Sequence, residues 1–344
     1  MKWGISLAKS NKGPKKKSKK FIIFSTVTVV LLTLILSAGL YIKNIFGNIE
    51  KVEATPEDLG IEKVEKPKVE EEVTYGTYRP DERYLNIALL GVDTRVIGNY
   101  DGTRADSIMI LSIDRETKAI KLASVARDTY ANIEGYGMDK INHAYAYGGA
   151  NLMVKTLNQN FNLAITDYVV VNFFGLAEII DRLGGVQMEV FEEELASMNG
   201  SISEIAGIKG VEVAKITTPG TYNLNGVQAV AYSRVRSTAG GDFKRTERQR
   251  EVLLKLAEKS SSVKITDVVP IINQLSSNLM TTLGASDMTN LAVELIKGGY
   301  SSNMSQNMFP EAAYSGGDMI GGVYYYVTDL SQAASSINNF FYGE

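Results

Sequence analysis

Five arginines fall between Ala229 and Glu251, in AVAYSRVRSTAGGDFKRTERQRE: Arg234, Arg236, Arg245, Arg248 and Arg250. Beyond Arg245 the apolar residues recur at helical spacing. Counting back from Leu256 by four, three and four passes through Val252, Gln249 and Arg245. Arg245 and Gln249 therefore share a helix face with core residues, and an arginine there needs an anion to offset its burial. Arg234 and Arg236 are two apart, so on extended backbone both point to one side. Two readings stand. In one, these arginines pair internally with Asp242, Glu247 and Glu251 at the surface. In the other they line an anion pocket, most naturally for phosphate, whose oxygens match the guanidinium fork. Arg248 and Arg250 sit on the flanks of the helix and read as salt-bridged surface.

A second set of charges falls at the ends of predicted strands: Asp93 and Arg95, Arg104 and Asp106, Arg127 and Asp128. If the strands at 107–114 and 120–128 form a hairpin, Asp106 and Arg127 share one end of it. The carboxyl end of the strand at 84–93 can join them, where open α/β sheets bind ligands. Asp93, Arg104, Asp106 and Arg127 then converge. Paired carboxylates without histidine or thiol suit a hard cation such as Mg²⁺, with Mn²⁺ an alternative. Arginines beside such a cation are the equipment of phosphoryl transfer. Loop caps and surface ion pairs are the competing explanation of the same residues.

The elements that must position these residues read as interleaved strands and helices. Strands are expected at 84–93, 107–114, 120–128, DYVVVNF, VQMEVF and VYYYV. Helices are expected near 150–160, over FGLAEIIDRLGG with its glycine stop, and over 266–280, 287–298 and 329–342. Asn225 is placed to cap a short helix over 226–232, while 192–214 is a weakly patterned excursion. The class is α/β: an α-β-α layering of helices on a central mixed sheet. The tyrosine-rich pieces read as core and sheet face rather than as a carbohydrate platform.

Composition removes several chemistries. The chain has 344 residues, no cysteine and one histidine, His143. Thiol catalysis, disulfides and a typical zinc hydrolase are excluded. A lone histidine in INHAYAYGG is better read as a packing or hydrogen-bonding residue than as a base. Net charge is −3, which offers no general field for nucleic acid. Residues 1–20 carry eight lysines and no acid, and the 22 residues 21–42 carry no charge. That length spans a bilayer, with the lysine-rich end cytoplasmic. It exceeds the apolar core of a cleaved signal, although Ser37-Ala38-Gly39 offers small residues for cleavage. Residues 43–83 alternate charges and read as an extracellular tether, leaving 84–344 as the external domain.

NIALLGVDTR, GTRADSIMI, SVARD, KINHAYAYGG, LGGVQMEV, NGVQAVAYSRVR and DFKRTERQR, in this order, resemble the successive motifs of the LytR–CpsA–Psr family across 84–260. The resemblance implies a membrane-anchored transferase of Gram-positive envelopes. Such enzymes move an anionic glycopolymer (teichoic acid, capsule or a related polysaccharide) from an undecaprenyl-diphosphate carrier to the 6-hydroxyl of muramic acid in peptidoglycan, through a phosphodiester. It implies that Asp93 and Asp106 stand near Mg²⁺ and that Arg104, Arg127, Arg234 and Arg236 hold the diphosphate. Arg245 and Gln249 would close the headgroup site, with a polyprenyl chain in the apolar interior beside it. Asp93 is the simplest acceptor of the attacking hydroxyl's proton, and Arg127 and Arg234 act on the transferred group. The chain departs from the family at Ala126, where proline is usual, at Ala105, often serine, and at Lys244, often glycine. A lipid-diphosphate hydrolase and a non-catalytic wall sensor are the alternatives that the same residues allow.

Overall fold

The computed structural model describes residues 50–52, 54–55, 58–61, 82–94, 100, 102–260, 268, 270, 279–300 and 304–343. The expected cytoplasmic tail (1–20) and anchor (21–42), Arg95, and most of the expected helix at 266–280 lie outside these residues. Among the described residues no helix is long and apolar enough to cross a membrane.

The strands are β1 (Glu50–Lys51), β2 (Tyr84–Val92), β3 (Ala105–Asp114), β4 (Ala119–Val125), β5 (Tyr130–Ile133), β6 (Gly137–Lys140), β7 (Asp167–Asn172), β8 (Val186–Val190), β9 (Gly220–Leu224), β10 (Leu279–Thr281), β11 (Met304–Phe309), β12 (Ser315–Ile320) and β13 (Val323–Thr328). The helices are α1 (His143–Phe161), α2 (Phe173–Arg182), α3 (Glu192–Lys209), α4 (Gly226–Ser233), α5 (Gly241–Ser260), α6 (Ala285–Lys297) and α7 (Leu330–Tyr342). Seven strands make one mixed sheet in the order β1-β10-β7-β2-β3-β4-β11. β2 lies inside it, antiparallel to β3 and parallel to β7. Strand alternation sends Leu85, Ile87 and Leu89 to one face, against Leu291 of α6 and Tyr300. Ala88, Leu90 and Val92 go to the other face, against Met153, Val154 and Leu157 of α1 and Ile337 and Phe341 of α7. Helices on both faces of a mixed sheet are the layering that the residue pattern predicts. The predicted hairpin is present as the antiparallel pair β3–β4.

A second core lies apart from these. Phe174, Ala177 and Ile180 of α2, Met188 of β8, Met198 and Ile202 of α3, Val227 and Val230 of α4, and Val252 and Leu256 of α5 pack together. The turn after α2 uses Gly184 and Gly185 at φ 78° and 83°, where a side chain would be strained.

Two expectations are corrected. The stretch 192–214 holds an 18-residue helix, α3, starting with three glutamates in its first turn. Those acids suit the positive end of the helix dipole. The described part of the tether expected over 43–83 packs on the domain: β1 pairs with β10, and Ala54 and Leu59 are buried in the main core.

Candidate active site

Asp93 follows the carboxyl end of β2, and Asp106 sits near the amino end of the neighbouring β3. Register along β2–β3 pairs Gly91 with Ser107 but Val92 with Ala105, so Asp106 is the extra residue of a β-bulge. Bulges re-aim a side chain at a sheet edge. Only glycine fits opposite this one, since a Cβ on Gly91 would come 2.8 Å from the Ser107 Cβ.

The bulged Asp106 becomes the hub of the site. Arg127, just past β4, donates from Nη1 to Asp106 Oδ1 at 2.7 Å. Arg236 donates from Nη2 to Oδ2 at 3.4 Å, and Arg245 Nη2 to the Asp106 carbonyl at 3.3 Å. Arg127 Nε also lies 3.5 Å from Asp128, which accepts from Lys140 Nζ at 2.7 Å. On the other side, the Arg234 guanidinium lies over the Phe173 ring, 4.8 Å from its centroid, and pairs with Glu204 at 3.3 Å.

These groups open on one cavity of about 290 Å³. Asp93 and Asp106 line it from the sheet, Arg234 and Arg236 from the loop after α4, Arg245 and Gln249 from α5, and Phe173, Ser197 and Ser201 complete it. Six of the residues singled out in the sequence thus meet in one place. Arg127 reaches it through Asp106. Arg104 does not line the cavity; it is exposed at the foot of β3 and close enough to Tyr147 to act on that phenol's charge.

Local structure explains the positions. Asn225 caps α4 by accepting from Gln228 N at 2.9 Å, and Gly226 presses on α2 so closely that any Cβ would collide with the Ala177 carbonyl. Arg234 is the last turn's cap residue, and its backbone is helical rather than extended. Arg234 and Arg236 face the cavity because the chain turns there. Arg245 is 2% exposed, as its helical spacing requires. Arg248 is not a surface residue: it donates to Glu194 at 2.6 Å, to the Val235 carbonyl at 3.1 Å and to Thr238 Oγ1 at 2.8 Å. It is an internal strut that ties α3 and α5 to the loop carrying Arg234 and Arg236. Arg250 is half-buried, and its guanidinium is pushed down by that burial, so it too departs from a salt-bridged surface role. Where Glu247 and Glu251 are the expected partners, Arg127 and Arg236 pair with Asp106, Arg248 with Glu194 and Arg234 with Glu204, while Glu247 acts on the charge of Arg250. Phe173, Ser197, Ser201 and Glu204 were missed in the sequence, three of them because α3 was not recognised.

The arrangement concentrates guanidinium groups around two carboxylates at the end of a parallel strand pair. Residues 47–340 match the LytR_cpsA_psr family. The chain belongs to this family. A curated relative, the "polyisoprenyl-teichoic acid--peptidoglycan teichoic acid transferase TagU" of Enterococcus faecalis, is 32% identical over 282 residues, 81% of this chain and 84% of that protein. The solved structure of "TagT bound to LI-WTA" is similar at a TM-score of 0.63 and 25% identity, covering 84% of this chain and 99% of that one. The structure of "TagT bound to LIIa-WTA" gives 0.61 and 26%, covering 77% and 93%. The family match begins ahead of β1, in agreement with the packing of Val52, Ala54, Leu59 and Ile61 on the main core.

Proposed function

We propose that this protein transfers a teichoic-acid-class anionic glycopolymer from a polyprenyl-diphosphate carrier to peptidoglycan, joining them by a phosphodiester. The observation that carries the reading is the cavity: Arg234, Arg236, Arg245 and two carboxylates line it, in a chain whose relatives are named as teichoic acid transferases.

The arginines hold the diphosphate. An arriving phosphate displaces the half-exposed Glu204 from Arg234, at a cost of about 1 kcal/mol or less for such a pair. Each charge-assisted bond to phosphate returns roughly 1.5–3 kcal/mol. The hydroxyl oxygen of the acceptor attacks the phosphorus nearest the polymer. The bond from that phosphorus to the bridging oxygen breaks, and polyprenyl monophosphate leaves with the electron pair. Asp93 takes the hydroxyl proton. Arg127 keeps Asp106 oriented, and the arginines neutralise charge on the equatorial oxygens.

Asp93 and Asp106 would hold Mg²⁺ or Mn²⁺. The donor set is all oxygen, and each Asp106 carboxylate oxygen carries one arginine contact, leaving lone pairs for a cation. When bound, such an ion supplies charge neutralisation on the transferred phosphoryl group. The anchor over 21–42, with the lysine-rich terminus cytoplasmic, would place this domain beside its lipid substrate outside the cell. Arg234→Ala tests the assignment: polymer attachment should fall by roughly 100- to 1,000-fold while the thermal transition stays in place. Attachment at the wild-type rate overturns it.

A further inference from the structure

The tyrosines expected in the core are partly at the surface. Tyr136, in the β5–β6 turn, is 55% exposed, and Tyr147 on α1 is 40% exposed. Their rings stack in parallel, with centroids 4.3 Å apart and planes at 10°. The band continues through Tyr325, which packs on Tyr130 at 4.7 Å. A single carboxylate fixes it. Asp139 accepts the Tyr147 hydroxyl at 2.6 Å and the Tyr325 hydroxyl at 3.3 Å, and its Oδ2 lies 2.8 Å from His143 Nδ1. Burial would raise this carboxyl, but the bonds from Tyr147 and His143 outweigh it and bring it to about 2. It is therefore ionised at neutral pH, and hydrogen bonds to it fix the hydroxyls of Tyr147 and Tyr325.

A chain of side-chain contacts links the band to Asp106 of the cavity, beginning with Arg127 on Asp106. Arg127 touches Asp128, Asp128 holds Lys140, and the Lys140 ammonium lies over the Tyr325 ring at 5.8 Å. Arg104 stands beside Tyr147 at the same end.

Rigid, exposed phenol rings with polar edges suit the C–H faces and hydroxyls of sugars. The charges select which sugar. Lys140 is paired with Asp128, and Lys155 with Glu134 at 2.8 Å, while Asp139 stays anionic. Arg104 beside Tyr147 adds a cation, but with both lysines paired a densely polyanionic polymer gains less at the band than a glycan strand, whose sugar rings carry few charges. We infer that the Tyr136–Tyr147–Tyr325 band is a saccharide subsite that seats the glycan strand of the acceptor next to the phosphoryl-transfer cavity. The inference rests on the transferase reading above.

The test titrates the full-length protein in detergent with three probes: a peptide-free peptidoglycan tetrasaccharide, farnesyl diphosphate, and lipid-free teichoic acid. Tyr136→Ala changes only an exposed turn residue; Tyr147→Phe keeps the ring and removes the bond to Asp139. Tyr136→Ala should weaken the tetrasaccharide about 3- to 10-fold, the scale of one aromatic stacking contact, and Tyr147→Phe about twofold, with farnesyl diphosphate affinity unchanged in both. Wild-type tetrasaccharide affinity in Tyr136→Ala overturns the subsite, as does a wild-type protein that binds farnesyl diphosphate but no tetrasaccharide. A loss confined to teichoic acid assigns the band to the donor and overturns the acceptor assignment. If the wild type fails to bind farnesyl diphosphate, the transferase reading fails instead, and the tetrasaccharide arm still reports on the band.

Discussion

Asp106 holds two roles that pull against each other. Its oxygens accept from Arg127 and Arg236, and under the proposed function the same oxygens would also hold a cation beside the diphosphate. Asp106→Asn keeps the shape and halves the hydrogen-bonding capacity for arginine. It should lower kcat roughly 100-fold and raise the Mg²⁺ concentration needed for half-maximal rate, as expected when one electrostatic stabiliser is lost. A rate and metal dependence equal to wild type would remove Asp106 from the site. Arg248 makes a different statement. It and Glu194 are both buried, so Arg248→Ala strands a carboxylate in the interior. Urea denaturation should show a loss of about 3–5 kcal/mol. A loss below 1 kcal/mol would return Arg248 to the surface role its sequence suggested. The convergence of Asp93, Asp106, Arg234, Arg236 and Arg245 on one cavity was legible in the sequence, because charged residues at strand ends and on an apolar helix face need a reason; Arg104 does not line it. The Arg248–Glu194 pair was not, because its partner is 54 residues away on a helix that had not been recognised.

Elements carry these residues to one point through two close contacts. The β-bulge at Asp106 depends on Gly91, and the seating of α4 on α2 depends on Gly226. Gly226→Ala must push backbone away from backbone, so its cost should be about 1–3 kcal/mol or more, read as a lowered Tm. Gly91→Ala meets the Ser107 side chain instead; transfer should fall further than stability does, because the displaced bulge carries Asp106. Equal Tm for Gly226→Ala and wild type would contradict the packing described. The strands β2, β3, β4 and β7 and helices α2, α4 and α7 follow from hydrophobic period and capping signals visible in the chain. Helix α3 does not: Ser201, Ser203, Gly200 and Gly207 interrupt its apolar pattern, and its stability comes from burying Met198 and Ile202 in the second core.

At the scale of the molecule, the layered α/β fold was legible, while the sheet edges were not. β1 and β10 are short, β11 lacks an alternating apolar pattern, and pairing with distant partners decides them, β1 with β10 and β11 with β4. The whole fold is also tied to pH through two carboxylates. Burial would raise Asp114, but Arg83 and the backbone amides of Thr117 and Glu116 outweigh it and hold it at about 2, as with Asp139. A carboxyl lowered in the folded state stabilises it above the unfolded value of 3.8, and that contribution is lost as pH falls through about 2. Each contributes about 2 kcal/mol at neutral pH. Stability should therefore be level above about pH 5 and decline towards pH 2, and Asp114→Asn should flatten part of that decline; an unchanged acid profile in the variant would contradict it. The central claim is that the cavity joins a lipid-borne polymer to peptidoglycan. Its most direct test is mass spectrometry of the products formed from a lipid-diphosphate-linked teichoic acid precursor, uncrosslinked peptidoglycan and Mg²⁺. The account predicts a muramic acid residue bearing the polymer through one phosphodiester, with polyprenyl monophosphate released in equal amount. Free polymer as the sole product, with and without peptidoglycan, would contradict it.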